Sequence, residues 1–106
     1  MKSDGTSNVP ATFDSGVSNH KFYTYILYSL KDKGLYIGFT TNLKNRLILH
    51  TKGQVDATKN RTPLKLIHYE YFISEVDAKA REEFLKSGYG RKQFKEILKN
   101  TLKPLV

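Results

Sequence analysis

Between residues 22 and 40 two apolar runs flank a short polar turn, and this feature constrains the chain more than any other. Residues 22–30, FYTYILYSL, and 35–40, LYIGFT, are dense in Tyr, Ile, Leu and Phe, with KDKG between them. Aromatic and β-branched residues suit a pleated, half-buried surface, so both runs read as strands. An Asp-and-Gly turn supplies the left-handed backbone positions of a tight hairpin. An isolated hairpin is marginal in water, so the rest of the chain must bring a third strand and covering helices. Alternation along the first strand puts Tyr23 and Tyr25 on one face and Tyr28 on the other.

The following residues supply those elements. Thr41-Asn42 offers a helix N-cap, and Leu43 and Leu47, with Arg46 and His50, fall at helical spacing until Gly53. Residues 54–63 form a polar loop carrying Lys59 and Arg61. Residues 64–73 are long, aromatic and apolar on both faces, which predicts a third strand at the centre of the sheet. Ser74 and Asp77 resemble a capping box. They open a second helix with Val76, Ala80 and Phe84 as its expected buried stripe, stopped by Gly88 and Gly90. Residues 91–100 read as a third helix, with Phe94, Ile97 and Leu98 apolar and Lys92, Lys95 and Lys99 on the other side. The expected fold is a small α/β layer structure of the α+β kind, order ββαβαα. Its three-stranded, mostly antiparallel sheet is flanked by helices. Residues 1–20 are rich in Ser, Gly, Asn and Thr without periodicity, so they read as a flexible tail before a domain over 21–103.

Charge then narrows the partners. Eighteen Lys and Arg against ten Asp and Glu give +8 over 106 residues. Lys2 stands against Asp4 and Asp14 in the first twenty, so residues 21–106 carry +9. Such an excess favours a polyanion, nucleic acid before an anionic membrane. No helix pattern shows the strongly apolar, lysine-flanked face that membrane-surface binding needs. The absence of Cys excludes a disulfide scaffold, a thiolate zinc site and a cysteine nucleophile. No apolar run reaches the ~18 residues of a membrane span, and the start lacks a signal-peptide core, so the expected location is cytoplasmic.

Several residues could carry chemistry. Arg46 and His50 share a helix face. Either that face is simply solvated, or it pairs a guanidinium that grips phosphate oxygens with an imidazole that moves protons. The tyrosines Tyr23, Tyr25, Tyr28 and Tyr36 pack in a core or present a phenol to a cleft. Glu82 and Glu83 flank opposite edges of the second helix, and helical arithmetic does not choose between them. One of them could hold Mg²⁺, which takes one or two carboxylates plus phosphate oxygens and waters. There is no P-loop, HExxH, GxSxG or GxGxxG. His20, His50 and His68 are too scattered for zinc, and His68 and Glu70 read as structural. Lys52, Lys59, Arg61, Lys86, Arg91 and Lys92 are single solvated charges that together could track phosphates.

In combination these pieces resemble the GIY-YIG endonuclease family in its small single-domain form, over about residues 22–95. The second family motif stands intact as Tyr36-Ile37-Gly38, while the first, Tyr23-Thr24-Tyr25, keeps only its tyrosine. Arg46 and His50 follow in order, then Ala80-Arg81-Glu82. The composite Tyr-x10-Tyr-Ile-Gly-x7-Arg-x3-His followed by Ala-Arg-Glu is far more specific than the triplet alone. The resemblance implies an active site of Tyr25, Tyr36, Arg46, His50 and Glu82. In it Glu82 binds one Mg²⁺ or Mn²⁺, and Tyr25 acts as base with His50 relaying the proton. It also implies a DNA substrate and a role in repair or recombination; duplex, branched or nicked DNA, or RNA, stay open as its form, and specificity is low, structural or supplied by a protein partner. The sequence departs from the family where a downstream Asn is expected: Phe94 stands there, beside Gln93. The competing expectation is a non-catalytic basic nucleic-acid-binding domain, which would present stacking aromatics on an exposed sheet face.

Overall fold

The computed structural model describes residues 21–105, and the tail expected over 1–20 lies outside the described residues. The hairpin forms as β1 (Phe22–Ser29) and β2 (Leu35–Thr40). Its turn closes by Ser29 N–H donating to the Gly34 carbonyl, 2.9 Å, and Lys33 N–H to the Ser29 carbonyl, 2.8 Å. The left-handed position is taken by Lys33 (φ 64°) rather than by Gly34. Gly34 lies beneath the side chains that close over the turn. A Cβ there would lie 2.9 Å from the Arg61 guanidinium and 3.1 Å from the Asp32 carboxylate. Those two groups clasp each other, Arg61 Nε donating to Asp32 Oδ2 at 2.5 Å and Nη2 to Oδ1 at 3.1 Å. The Arg61 bonds and the Gly34 N–H hold the Asp32 carboxyl at about 2.

The third strand, β3 (Leu64–Phe72), pairs antiparallel with the free side of β1, giving the order β2-β1-β3. All pairings are antiparallel. The centre of the sheet is therefore β1, and β3 is an edge, contrary to the expectation from its apolar pattern. Its second face holds Tyr69 and Tyr71, which are half exposed rather than covered. A register irregularity interrupts the β1–β3 ladder at Ile26/Leu27.

One sheet face is covered by α2 (Glu75–Lys86) and α3 (Gly88–Ile97). Ile26 and Ile37 meet Leu85 and Phe94 there, forming the core cluster. Each such side chain contributes about 1.5–3 kcal/mol by leaving water. Thr24 Oγ1 donates to the Ala78 carbonyl across this layer, 2.7 Å. Ser74 caps α2 as expected, its side chain accepting from Asp77 N–H. The buried stripe, however, is Ala78 and Leu85, while Val76 is 76% exposed. Small Ala78 is what lets the helix backbone approach Thr24. Gly88 and Gly90 do not end α2 but open α3. Ser87 caps α3 by accepting from Gly90 N–H. A Cβ on Gly90 would fall 1.9 Å from the Phe84 carbonyl oxygen, so the two helices cross at that glycine. Ile97, expected inside, is exposed. The chain continues as α4 (Lys99–Leu102) and a final tight turn, where Leu105 accepts from the Tyr28 hydroxyl at 3.0 Å.

The opposite face receives α1 (Leu43–Thr51), capped by Asn42 and followed by Gly53 at φ 70°. No described helix is long and apolar enough to cross a membrane.

Candidate active site

The site begins with β1. Thr24 and Ile26 turn to the core, so Tyr25 between them must turn to the α1 side. Directly opposite Tyr25 on β2 stands Gly38, which leaves room for the phenol. A Cβ at Gly38 would lie 2.4 Å from Tyr25 Cζ and 2.5 Å from its oxygen. The Gly of Tyr36-Ile37-Gly38 is thus a steric requirement of the tyrosine across the strand.

From above comes His50, near the end of α1. Tyr25 and His50 are each 1% exposed, and Tyr25 Oη lies 2.8 Å from His50 Nε2. His50 Nδ1 lies 2.7 Å from the hydroxyl of fully buried Thr58. Tyr36 completes the cluster, with ring centroids 6.2 Å from Tyr25 and 5.3 Å from His50.

The electrostatics differ from the sequence expectation. Burial, reinforced by the Tyr36 phenol and Glu82, pushes the Tyr25 pKa well above that of an ordinary phenol. Arg46 pulls it down but is outweighed. Burial first, and Arg46 second, lower the His50 pKa. The resting pair is therefore a protonated phenol beside a neutral imidazole. The arrangement that satisfies all four groups has Tyr25 O–H donating to Nε2 and Nδ1–H donating to Thr58 Oγ1.

Arg46 lies one turn before His50 and acts on both Tyr25 and His50. Glu82, on α2, opposes Arg46 by raising the Tyr25 pKa, and its carboxylate accepts from Lys86 Nζ at 2.9 Å. Tyr36, Arg46, His50 and Glu82 thus each influence the Tyr25 phenol. The cavity of about 210 Å³ that reaches His50 does not contain the other four; it is bounded by Leu27, Leu47, Thr51, Leu64 and Leu66.

Glu82 could hold a divalent ion, although the described residues contain no cluster of three or more His, Cys, Asp or Glu. A single carboxylate suits Mg²⁺ only when substrate phosphate and water complete the shell. The donor set fits an ion that arrives with its substrate.

The basic residues expected to track phosphates scatter. Lys52 caps the C-terminus of α1, and exposed Lys59 pairs with Asp56 at 3.6 Å. Arg61 is taken up by the Asp32 clasp, so its charge serves the fold. Lys86 sits on Glu82. Arg91 and Lys92 belong to α3, behind the sheet, where Arg91 borders a cavity of about 230 Å³ with Lys33, Lys95 and Tyr28. Gln93 is exposed on the same helix. Also behind the sheet, Arg81 and His68 bond to Glu70. Burial pushes the Glu70 carboxyl up, but these partners bring it below its ordinary value. Thr58 is the residue that the sequence reading missed. It lies in a polar loop, and nothing in its neighbours signals a contact with His50.

The sequence is similar to those of several known proteins. The family described as the GIY-YIG catalytic domain matches residues 21–96. The UPF0213 protein in the ldhD 5′ region of Pediococcus acidilactici is 38% identical over 86 residues, covering 78% of this chain and 86% of that one. The UPF0213 protein YsiG of Lactococcus lactis is 39% identical over 84 residues, covering 78% and 80%. A solution structure of the UPF0213 protein BH0048 from Bacillus halodurans is 30% identical, covers 73% of this chain and 84% of that one, and superposes with a TM-score of 0.48. With Tyr25, Gly38, Tyr36 and His50 packed together and with the family matched across nearly the whole described chain, this protein belongs to the GIY-YIG nuclease family.

Proposed function

We propose that the chain is an endonuclease that hydrolyses DNA phosphodiester bonds at Tyr25. The observation that carries this reading is the hydrogen-bonded chain Tyr25–His50–Thr58, whose phenol feels the opposite charges of Arg46 and Glu82. A protonated phenol is a poor base by itself. Its proton, however, has an acceptor 2.8 Å away in neutral His50. An attacking water gives a proton to Tyr25 Oη as Tyr25 passes its own to His50 Nε2, so no free phenolate forms. The hydroxide equivalent adds to phosphorus, the bond to the 3′ oxygen breaks, and that oxygen takes a proton from solvent. Thr58 holds the imidazole in the accepting tautomer and then stabilises the imidazolium. Arg46 binds a non-bridging phosphate oxygen, where charge grows. Tyr36 positions the water or the phosphate. Glu82 would hold one Mg²⁺ or Mn²⁺, which would supply Lewis acidity toward the phosphate. Lys86 would release Glu82 for that role.

The test is cleavage of plasmid and four-way DNA with Mg²⁺ or Mn²⁺. The wild type should cleave, chelator should stop it, and Arg46→Ala and Glu82→Ala should each lose about 10²–10³-fold in rate. Equal cleavage by all three proteins would mean a contaminating nuclease. A second reading, a non-catalytic nucleic-acid-binding domain, is favoured by the tyrosines on the open part of the sheet. Salt-dependent binding without cleavage would select it.

A further inference from the structure

Beside Tyr25 the same sheet face carries three more tyrosines that the chemistry above does not use. The register sets Tyr25 opposite Tyr69 and Tyr23 opposite Tyr71. Tyr23 leans on both β3 rings, with centroids 6.2 Å from Tyr69 and 5.6 Å from Tyr71. Helices α2 and α3 cover the other face, and Tyr69 and Tyr71 remain 51% and 46% exposed.

We propose that this face is a stacking platform for single-stranded DNA, which passes across Tyr71, Tyr69 and Tyr23 and brings its phosphate to Tyr25. The proposal deepens the nuclease reading by naming its substrate class, and rests on that reading only for what happens at Tyr25.

Spacing argues for a single strand. Successive same-face residues on a strand lie about 6.8 Å apart, twice the ~3.4 Å rise per base of a duplex strand. Bases taken one per tyrosine along β3 would be splayed apart, which a duplex does not allow. Charge agrees. The strand positions on this face are Tyr, Leu, Ser, Gly and Thr, with no carboxylate among the described residues. Glu70 points to the back, held by Arg81. At the Tyr23 end, Lys21 and Lys44 border a cavity of about 210 Å³ with Thr41 and Asn42, and among the described residues neither lysine pairs with a carboxylate. Aromatic faces flanked by lysines match bases flanked by phosphates.

The experiment measures binding in chelator, so that no cleavage intervenes. The probes are a fluorescent mixed-sequence single-stranded DNA, the same strand annealed to its complement, and an RNA of the same sequence. The proteins are the wild type and the Tyr69→Leu, Tyr71→Leu, Tyr69→Phe and Tyr71→Phe variants, with thermal melting to confirm folding. Leu keeps apolar area but removes the ring; Phe keeps the ring. The expected result is tighter binding of the single strand than of the duplex. Each Leu substitution should weaken it about 5- to 150-fold, and each Phe substitution should leave it near wild type. Equal binding of single strand and duplex, or Leu variants that bind like wild type, would overturn the proposal. Tighter binding of the RNA would overturn its assignment to DNA. Tyrosine-dependent binding with no cleavage on adding Mg²⁺ would uphold the platform and defeat the nuclease reading instead.

Discussion

The contact between Gly38 and Tyr25 makes the sharpest residue-scale prediction. The Tyr25 ring lies against Gly38 and its hydroxyl is held by His50, so the ring does not swing aside freely for a methyl group. Gly38→Ala should therefore break the Tyr25–His50 hydrogen bond and abolish cleavage. The protein should still fold, with a loss of about 1–3 kcal/mol as for other overpacked sites. Denaturant melts beside a cleavage assay check both halves. His50 makes a second prediction. Its folded pKa lies below its unfolded value of about 6.5. In that window the unfolded chain binds the proton and the native one does not. Stability is thus full above about pH 6.5 and falls as the pH drops through the window toward the folded pKa. Asp32 and Glu70 titrate lower, since both carboxyls are held below their ordinary values. Melting temperatures from pH 8 to 5 should fall for the wild type and change less for His50→Gln. A variant slope equal to the wild type's would show that His50 is not the group responsible. At this scale the motif residues Tyr25, Tyr36 and His50 were legible in the sequence as a group, and the structure packs them together. The sequence was silent on Thr58, because an isolated threonine in a polar loop has no spacing relation to the imidazole it meets.

Among the elements, the capped starts of α1 and α2 were legible because Asn42 and Ser74 bond their own helices, a local event. The burial phase of α2 was not. The spacing of Val76, Ala80 and Phe84 and that of Ala78 and Leu85 are both helical, and only contact with β1 decides between them. Placement within the sheet was hidden for a similar reason. The apolar character of β3 on both faces fits a central strand, but half of it is a tyrosine row left open. The α2–α3 crossing depends on Gly90 meeting the Phe84 carbonyl, backbone against side-chain position. Gly90→Ala should push the helices apart and expose Phe94, destabilising the fold more than Gly88→Ala, whose added methyl meets nothing. Chemical denaturation of the two variants makes the comparison, and equal midpoints would contradict the close crossing. Truncating the core side of the same layer, Leu85→Ala, should cost about 2–5 kcal/mol.

Residues 21–106 carry +9, and among the described residues the basic side chains are divided among α1, α2, α3 and the loops rather than gathered on one element. Binding to DNA should weaken steeply with salt, with a log–log slope that counts the phosphates actually neutralised. Because Arg61 is clasped by Asp32, Arg61→Gln should change that slope little, while Lys44→Gln should reduce it. Titrations across salt concentrations measure both. β1 also touches every layer of the fold. Thr24 anchors α2, Tyr25 meets His50, Ile26 fills the core and Tyr28 ties down the C-terminal turn. Since alternate residues of one strand serve opposite masters, a one-residue insertion or deletion ahead of Tyr25 would exchange the two sets, sending the phenol inward and the core outward. Stability and chemistry are therefore inherited together along this strand, and evolution can explore new substrates freely only at the rims, where β3 and the loops leave side chains unclaimed.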